Sequence, residues 1–146
     1  GTDLQPWYYT FDDEGKMIGY LKGIPNGRDL GTIPFYKTSS GYGVKPGLLI
    51  RGGELDGFET DITEETAKVG IDLLLNTYKI KTDLDLRDKN YANLDKEDVL
   101  GENISHTYYG MVYYDDVFTT EGKAAVKAIF SELSKSENYP IFLQYQ

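Results

Sequence analysis

The amino-acid sequence predicts one α/β domain, a parallel sheet with flanking helices and a β-rich N-terminal extension. Strand patterns alternate with amphipathic helix patterns along the chain, and the connections between these strands are too long for hairpins. The chain has 146 residues, which is enough for one well-packed core and short for two. Crossover connections between parallel strands are right-handed in nearly all known sheets, so we expect that hand here.

The N-terminal extension is predicted to cover residues 1–22, and the α/β domain residues 23–146. Two β-prone runs, Trp7 to Phe11 and Lys16 to Leu21, lie on either side of an Asp-Asp-Glu-Gly sequence. Glycine in such a turn tolerates a positive φ angle, so the pattern indicates a β-hairpin.

The next segment, Gly23 to Gly47, is rich in Gly, Pro, Asn and Ser. This composition predicts irregular structure, with a short hairpin around Thr38 to Tyr42. Leu48 to Arg51 is short and mainly apolar, and it is predicted to be the first strand of the sheet.

A first helix is predicted from Asp61, which can act as the N-cap, to about Tyr78. Glu64 stands three residues after Asp61 and completes a capping box. The expected buried stripe contains the apolar or small residues Ile62, Ala67, Val69, Gly70, Leu73 and Leu74.

Three further strands are predicted, in Lys79 to Asp88, Ile104 to Tyr109 and Ile141 to Tyr145. In the first of these, apolar and polar residues alternate with a period of two. The polar residues 88–103 are expected to form a loop or a small helix. The last strand is continuously apolar at its start, as expected for a strand that is buried on both faces.

A second helix is predicted to begin at a threonine cap, either Thr119 or Thr120. Its apolar stripe consists of Val126, Ile129, Phe130 and Leu133. A polar run, Ser134 to Asn138, is expected to end the helix before the final strand.

The composition excludes several classes of function. The net charge of -9 and the pI near 4.5 repel polyanions, so nucleic acid is not expected as a partner. No apolar run approaches the roughly 20 residues of a membrane span.

One histidine and no cysteine argue against a transition-metal site, while carboxylate-only binding of Mg²⁺ or Ca²⁺ stays open. No cofactor is predicted. The acidic, tyrosine-rich composition favours a secreted or cell-surface location in a bacterium.

Asp83, Asp85 and Arg87 follow one another at every second position near the exit of a predicted strand. Ligands of parallel sheets bind beyond such strand ends. Asp85 and Arg87 could form an ion pair that ties down loops. Alternatively, one of them faces an anionic substrate or orients a neighbouring loop.

The sequence Asn-Gly-Arg-Asp-Leu-Gly, residues 26–31, is also compatible with either a structural or a ligand-binding role. Asn26 and Asp29 can close side-chain turns in a purely structural loop. Arg28 could instead hold an oxyanion through two parallel hydrogen bonds.

Three other polar or aromatic groups are weaker candidates for a site. Asp115 and Asp116 are expected to be capping or solvated residues, and become general-acid candidates only beside a phosphate site. His106 has no cysteine or motif-spaced serine partner, so it is expected to be packed or exposed. Tyrosine clusters such as Tyr113-Tyr114 are expected to form half-buried rims, with a carbohydrate or peptide platform as the alternative.

Four motifs in order resemble the bacterial protein-tyrosine/serine phosphatase family. They are NGRDLG, then GYGVKPGLLIRGGEL, then IKTDLDLRD after an amphipathic helix, and finally SENYPIF. The resemblance covers about residues 23–143 and implies a partial phosphotyrosine-phosphatase-like fold. Gly27 and Thr32 depart from the family pattern, as does the sequence from His106 to Tyr108.

The resemblance implies hydrolysis of phosphomonoesters through a cysteinyl-phosphate intermediate. In the family the YPI strand leads into His-Cys, and a phosphate-binding loop that ends in arginine follows. The cysteine attacks phosphorus, loop N–H groups and the arginine hold the equatorial oxygens, and an aspartic acid protonates the leaving group.

The chain departs from this pattern at its most important position. Gln144 stands at the place of the family's histidine and Tyr145 at the place of its cysteine. A phenol ordinarily ionises only near pH 10, so it is a poor substitute for a thiolate. We therefore expect the chain to be an N-terminal part of a phosphatase, interrupted by nature or by design, without an intact catalytic residue and inactive alone.

Two alternatives to an inactive phosphatase part stay open at this point. The chain could be a non-catalytic module that binds peptide or glycan through its tyrosine-rich rim. It could also be a half-domain that self-associates or is completed by another chain through strand 141–145, with a phosphorylated peptide or small phosphomonoester as the ligand of the completed protein.

Overall fold

The computed structural model describes residues 21–32, 39–41, 45–53, 55, 64–87, 99–109 and 118–145. They form strands β1 (Arg28–Asp29), β2 (Leu49–Gly52), β3 (Thr82–Asp85), β4 (Ser105–Tyr108) and β5 (Ile141–Gln144), and helices α1 (Glu64–Asp72) and α2 (Thr120–Leu133). Most of the predicted hairpin at residues 7–21 lies outside these residues, as do both ends of the predicted hairpin at residues 38–42 and the predicted cap at Asp61. No described helix is both long and apolar enough to cross a membrane.

The five strands form one sheet in the order β1-β2-β5-β3-β4, which confirms the predicted α/β class. All neighbours are parallel except β1 and β2. Strand β5 is central, because Phe142 is the partner of Ile50 on one side and of Asp83 on the other. Both edges of β5 are therefore hydrogen-bonded within the chain. A completing chain therefore cannot add as a strand beside residues 141–144, and completion through segment 141–145 by another kind of contact stays a prediction.

The main core lies where α1 and the following turn pack on the sheet. Its buried members are Leu21, Ile24, Ile50, Leu55, Leu73, Leu74, Ile80, Leu100 and Phe142. Ile80 and Phe142 come from segments predicted to be strands, and burial of each such side chain contributes roughly 1.5–3 kcal/mol. This core fixes β5 against α1 and so sets the position of the residues that follow β5.

A close approach of two glycines sets the position of α1. A Cβ atom built on Gly70 would lie 2.1 Å from the carbonyl oxygen of Gly23, so only glycine fits. Gly23 itself has a φ of 81°, in the left-handed region that favours glycine. The chain at residue 23 and helix α1 are therefore in backbone contact.

Two described residues of the predicted helix stripes are exposed. Val69 is 41% exposed and Phe130 is 67% exposed, whereas the neighbouring Gly70 and Ile129 are buried. The helical period identifies the apolar side of a helix, but the packing partner decides which part of that side is covered. Contact through Gly70 turns Val69 toward the margin of the α1 interface.

The predicted continuation of the first helix to Tyr78 changes form after Asp72. Leu73–Thr77 is a π-helical turn, in which the Tyr78 N–H donates to the carbonyl oxygen of Leu73 at 2.9 Å. This wider turn places Leu73 and Leu74 side by side in the core.

Helix α2 has a side-chain cap that distinguishes between the two predicted threonines. The Thr119 hydroxyl oxygen accepts a hydrogen bond from the Gly122 N–H at 2.9 Å, and Thr120 is the first helical residue. We expect Thr119→Ala to lower the free energy of unfolding by about 1 kcal/mol, because a buried N–H loses its partner. Thr120→Ala is the matched control and should have a smaller effect in urea denaturation. Equal effects of the two substitutions would contradict the assignment of the cap.

Candidate functional site

The carboxyl ends of β2, β3, β4 and β5 meet at one edge of the sheet because these strands are parallel. The ladder continues one residue beyond β5 on the β2 side and one residue beyond β3 on the other side. The Tyr145 N–H donates to the Gly52 carbonyl oxygen at 2.9 Å, and the Leu86 N–H donates to the Gln144 carbonyl oxygen at 2.7 Å. Tyr145 therefore lies at the centre of this edge.

The side chain of Tyr145 contacts a polar group from the opposite end of the described sequence. The Asn26 amide nitrogen lies 2.6 Å from the Tyr145 hydroxyl oxygen, and Arg28 Nη2 donates to the Asn26 amide oxygen at 3.0 Å. The Arg51 guanidinium carbon lies 4.5 Å from the centroid of the Tyr145 ring. This is a cation–π distance. We call these four residues the Tyr145 cluster.

Backbone hydrogen bonds hold Asn26 in the Tyr145 cluster. Asn26 has a φ of 52°, a left-handed conformation that asparagine tolerates better than most residues. The Gly27 N–H donates to the Ile24 carbonyl oxygen at 2.9 Å, which closes the turn, and the Gly53 N–H donates to the Pro25 carbonyl oxygen at 2.7 Å. The loop is therefore fastened to the exit of β2.

A second polar group surrounds Asp85, which is fully buried at the end of β3. Arg87 donates from Nε to Asp85 Oδ1 at 3.0 Å and from Nη2 to Oδ2 at 2.9 Å. His106 Nε2, on β4, lies 2.9 Å from the same Oδ2. The Arg87 guanidinium is thus committed to a bidentate pair, and this geometry agrees with a loop-fixing role for the pair.

The surroundings of Asp85 act on its pKa in opposite directions. Burial raises the pKa, but hydrogen bonds from His106 and Arg87, together with the guanidinium charge, outweigh burial and hold the pKa below its ordinary value of 3.8. Asp85 is therefore a carboxylate at neutral pH, which suits a structural anion better than a proton donor.

Asp29 makes the side-chain turn that the sequence predicted. Its two carboxylate oxygens accept from the Gly31 N–H at 3.0 Å and from the Gly47 N–H at 2.9 Å. Burial raises the pKa of Asp29, while these two hydrogen bonds and one from Tyr78 lower it by less. Asp29 therefore joins two loops and is turned away from solvent, at 1% exposure.

Gln144 is buried on the side of the sheet opposite to the Tyr145 side chain, because successive residues of a strand alternate. The carboxamide orientation that satisfies both neighbours donates from nitrogen to Asp83 Oδ2 at 3.1 Å, and its oxygen accepts from the Leu55 N–H at 3.2 Å. Gln144 thus connects β5 to β3 and to the segment after β2.

The structure brings some of the predicted site residues together and leaves others apart. Arg28 joins Tyr145, whereas Asp85 and Arg87 form a separate group with His106. Asp115 and Asp116 lie outside the described residues. Among the residues that are described, no three His, Cys, Asp or Glu side chains are grouped as metal ligands.

Sequence reasoning did not identify Arg51 or the role of Asn26 in the Tyr145 cluster. Arg51 follows the apolar sequence Leu-Leu-Ile at the carboxyl end of a strand, and this position could have marked it. His106 was expected to be packed or exposed, and its contact with Asp85 depends on the pairing of β3 with β4.

Comparison with known proteins identifies one family. The model of the tyrosine phosphatase family matches residues 20–144, which is most of the chain and includes all five strands. A search of curated proteins finds no match.

Proposed function

The chain belongs to the tyrosine phosphatase family, and from this premise we propose that its 146 residues recognise phosphomonoesters at the carboxyl edge of the sheet without hydrolysing them through cysteine. The observation that supports this proposal is the residue at the exit of the central strand. Tyr145 stands there, and the chain contains no cysteine.

The chemistry of the family requires a nucleophile at this edge. A thiolate attacks phosphorus and leaves as a good leaving group in the second step. A tyrosine hydroxyl is a weaker nucleophile than a cysteine thiolate. The barrier-lowering contribution of the nucleophile is therefore missing from this chain.

Recognition needs less than catalysis does. Arg28, Arg51 and the Asn26 amide supply positive charge and a donor beside the exit of β5. Guanidinium groups suit phosphate because they present several donors in one plane. The two arginines face each other in the pair β1–β2 and place positive charge at this edge of a chain whose net charge is -9.

We expect the purified chain to bind phenyl phosphate and to release no phosphate from p-nitrophenyl phosphate above the rate of buffer alone. Iodoacetamide, which alkylates cysteine, should leave the affinity for phenyl phosphate unchanged. Phosphate release that rises in proportion to chain concentration, and that persists through further purification, would contradict the proposal.

Ligand titrations distinguish the proposal from the two alternatives. Saturable binding of a glycan or of an unphosphorylated peptide, without binding of phenyl phosphate, would identify a different kind of module and refute the proposal. Turnover that appears only after addition of a second polypeptide would show completion by another chain. Such a partner could not add as a strand beside β5, because both edges of β5 are paired.

A further inference from the structure

We propose that Asn26, Arg28 and Arg51 form a site for an aromatic ring that carries an oxyanion, and that the chain's own Tyr145 occupies this site as an internal ligand. The inference rests on the proposed recognition of phosphomonoesters and states which groups provide it. An aryl phosphate would compete with the Tyr145 side chain for the same three residues.

The first argument is recognition of the ring. The Arg51 guanidinium lies over the face of Tyr145, with 4.5 Å between its central carbon and the ring centroid. A planar guanidinium can stack on any aromatic ring of similar size. The contact made by Tyr145 is thus one that the ring of a phenyl ester could make in its place.

The second argument is recognition of the oxygen attached to the ring. Asn26 Nδ2 lies 2.6 Å from the phenol oxygen. In an aryl phosphate this oxygen is the bridging ester atom, and the charged phosphoryl oxygens lie just beyond it. Arg28 Nη2 donates to the Asn26 amide oxygen at 3.0 Å, so a guanidinium is bonded to the same amide group that contacts the phenol oxygen.

The third argument is the pairing of two positive charges across the sheet. Arg28 and Arg51 are direct partners in the antiparallel pair β1–β2. Residues in facing positions of an antiparallel pair lie close together, so one anion can reach both guanidinium groups. The Tyr145 ring offers such an arginine only its weakly negative face.

The fourth argument concerns how the site can open. The Tyr145 backbone N–H is hydrogen-bonded to Gly52, and the Asn26 loop is fastened to Gly53 through Pro25. Rotation of the half-buried Tyr145 side chain therefore exposes the three ligand groups without breaking the ladder. Side-chain rotation of this kind is fast compared with ligand exchange.

The test is titration of phenyl phosphate, inorganic phosphate and benzyl alcohol into the parent chain and its variants, followed by isothermal calorimetry. Tyr145→Ala removes the internal ligand and should bind phenyl phosphate at least about tenfold more tightly than the parent chain does. Tyr145→Phe keeps the ring but loses the hydrogen bond to Asn26, so its affinity should lie between the two. Adding Arg51→Lys to Tyr145→Ala keeps the charge but weakens stacking, and should reverse most of the gain.

Tyr139→Phe is the matched control, because it removes a tyrosine hydroxyl that is bonded elsewhere, to the Leu133 carbonyl oxygen. Its affinity for phenyl phosphate should equal that of the parent chain. Circular dichroism and urea denaturation establish that each variant is folded. As a second measurement, the Asn26 side-chain amide signals in the NMR spectrum of the parent chain should shift when phenyl phosphate is added.

Three outcomes would overturn the inference. Tyr145→Ala could bind phenyl phosphate no more tightly than the parent chain does. Tyr145→Ala could raise the affinity for inorganic phosphate as much as that for phenyl phosphate, which would show that the ring is not recognised. It could also raise the affinity for benzyl alcohol as much, which would show that the anion is not recognised. If the parent chain and all variants fail to bind any phosphomonoester, the proposed function itself is refuted.

Discussion

Replacement of Asp85 by alanine is expected to lower the free energy of unfolding by about 3–5 kcal/mol. Arg87 is only 5% exposed, and Asp85 accepts three hydrogen bonds from it, two from the guanidinium and one from the backbone. Removal of the carboxylate leaves a guanidinium charge in the interior without this compensation. His106 loses its contact with Oδ2 at the same time.

Urea denaturation followed by circular dichroism measures this loss, and a double variant shows its cause. Asp85→Leu combined with Arg87→Met removes both charges. This double variant should therefore lower the free energy of unfolding by less than Asp85→Ala alone does. Lys135→Ala is a surface control, because it removes an exposed ion pair with Glu132 and should have little effect. A stability of Asp85→Ala close to that of the parent chain would show that the pair is not important for folding.

The pH dependence of stability provides a further readout of the same variant. The pKa of Asp85 is lower in the folded chain than its ordinary value of 3.8. Its contribution is therefore complete above about pH 3.8 and is lost as the pH falls through the folded pKa. The parent chain should lose stability in this acidic range more steeply than the variant does.

Replacement of Gly70 by alanine is expected to lower the free energy of unfolding by about 1–3 kcal/mol. Alanine normally stabilises a helix interior by nearly 1 kcal/mol relative to glycine, so propensity alone predicts a gain. The new Cβ would lie 2.1 Å from the Gly23 carbonyl oxygen and 2.4 Å from the Gly23 carbonyl carbon. Both are backbone atoms, so α1 has to move away from residue 23. The steric cost therefore exceeds the gain.

Val69→Ala is the matched control for Gly70→Ala, since Val69 is the adjacent helical residue and is largely exposed. Its midpoint in urea should lie close to that of the parent chain. If Gly70→Ala were as stable as the parent chain or more stable, helix propensity would dominate and the tight glycine contact would have no energetic role.

Much of the fold could be predicted from local patterns. The apolar sequence Ile141-Phe142-Leu143 and the threonine cap of α2 each determine one element through nearby residues alone. The exposure of Phe130 and the π-helical turn after Asp72 could not be predicted in this way. Both depend on which surface faces the helix, and this is a property of the assembled sheet.

The candidate site was less predictable for the same reason. Asp85 and Arg87 are two residues apart, so their pairing follows from the sequence of one strand. Tyr145 and Asn26 are 119 residues apart, and they meet because β5 lies beside β2 in the sheet. A list of strands does not determine their lateral order, so Arg51 could not be assigned to the group.

The central position of β5 also determines when the domain can fold during synthesis on the ribosome. β5 follows the other four strands in the sequence, yet it lies between β2 and β3 in the sheet. Before residues 141–144 emerge, the described strands can form two separate pairs of this sheet, β1 with β2 and β3 with β4. Each pair has open strand edges, which are prone to associate with other chains. The described sheet therefore cannot be complete until its central strand has been translated.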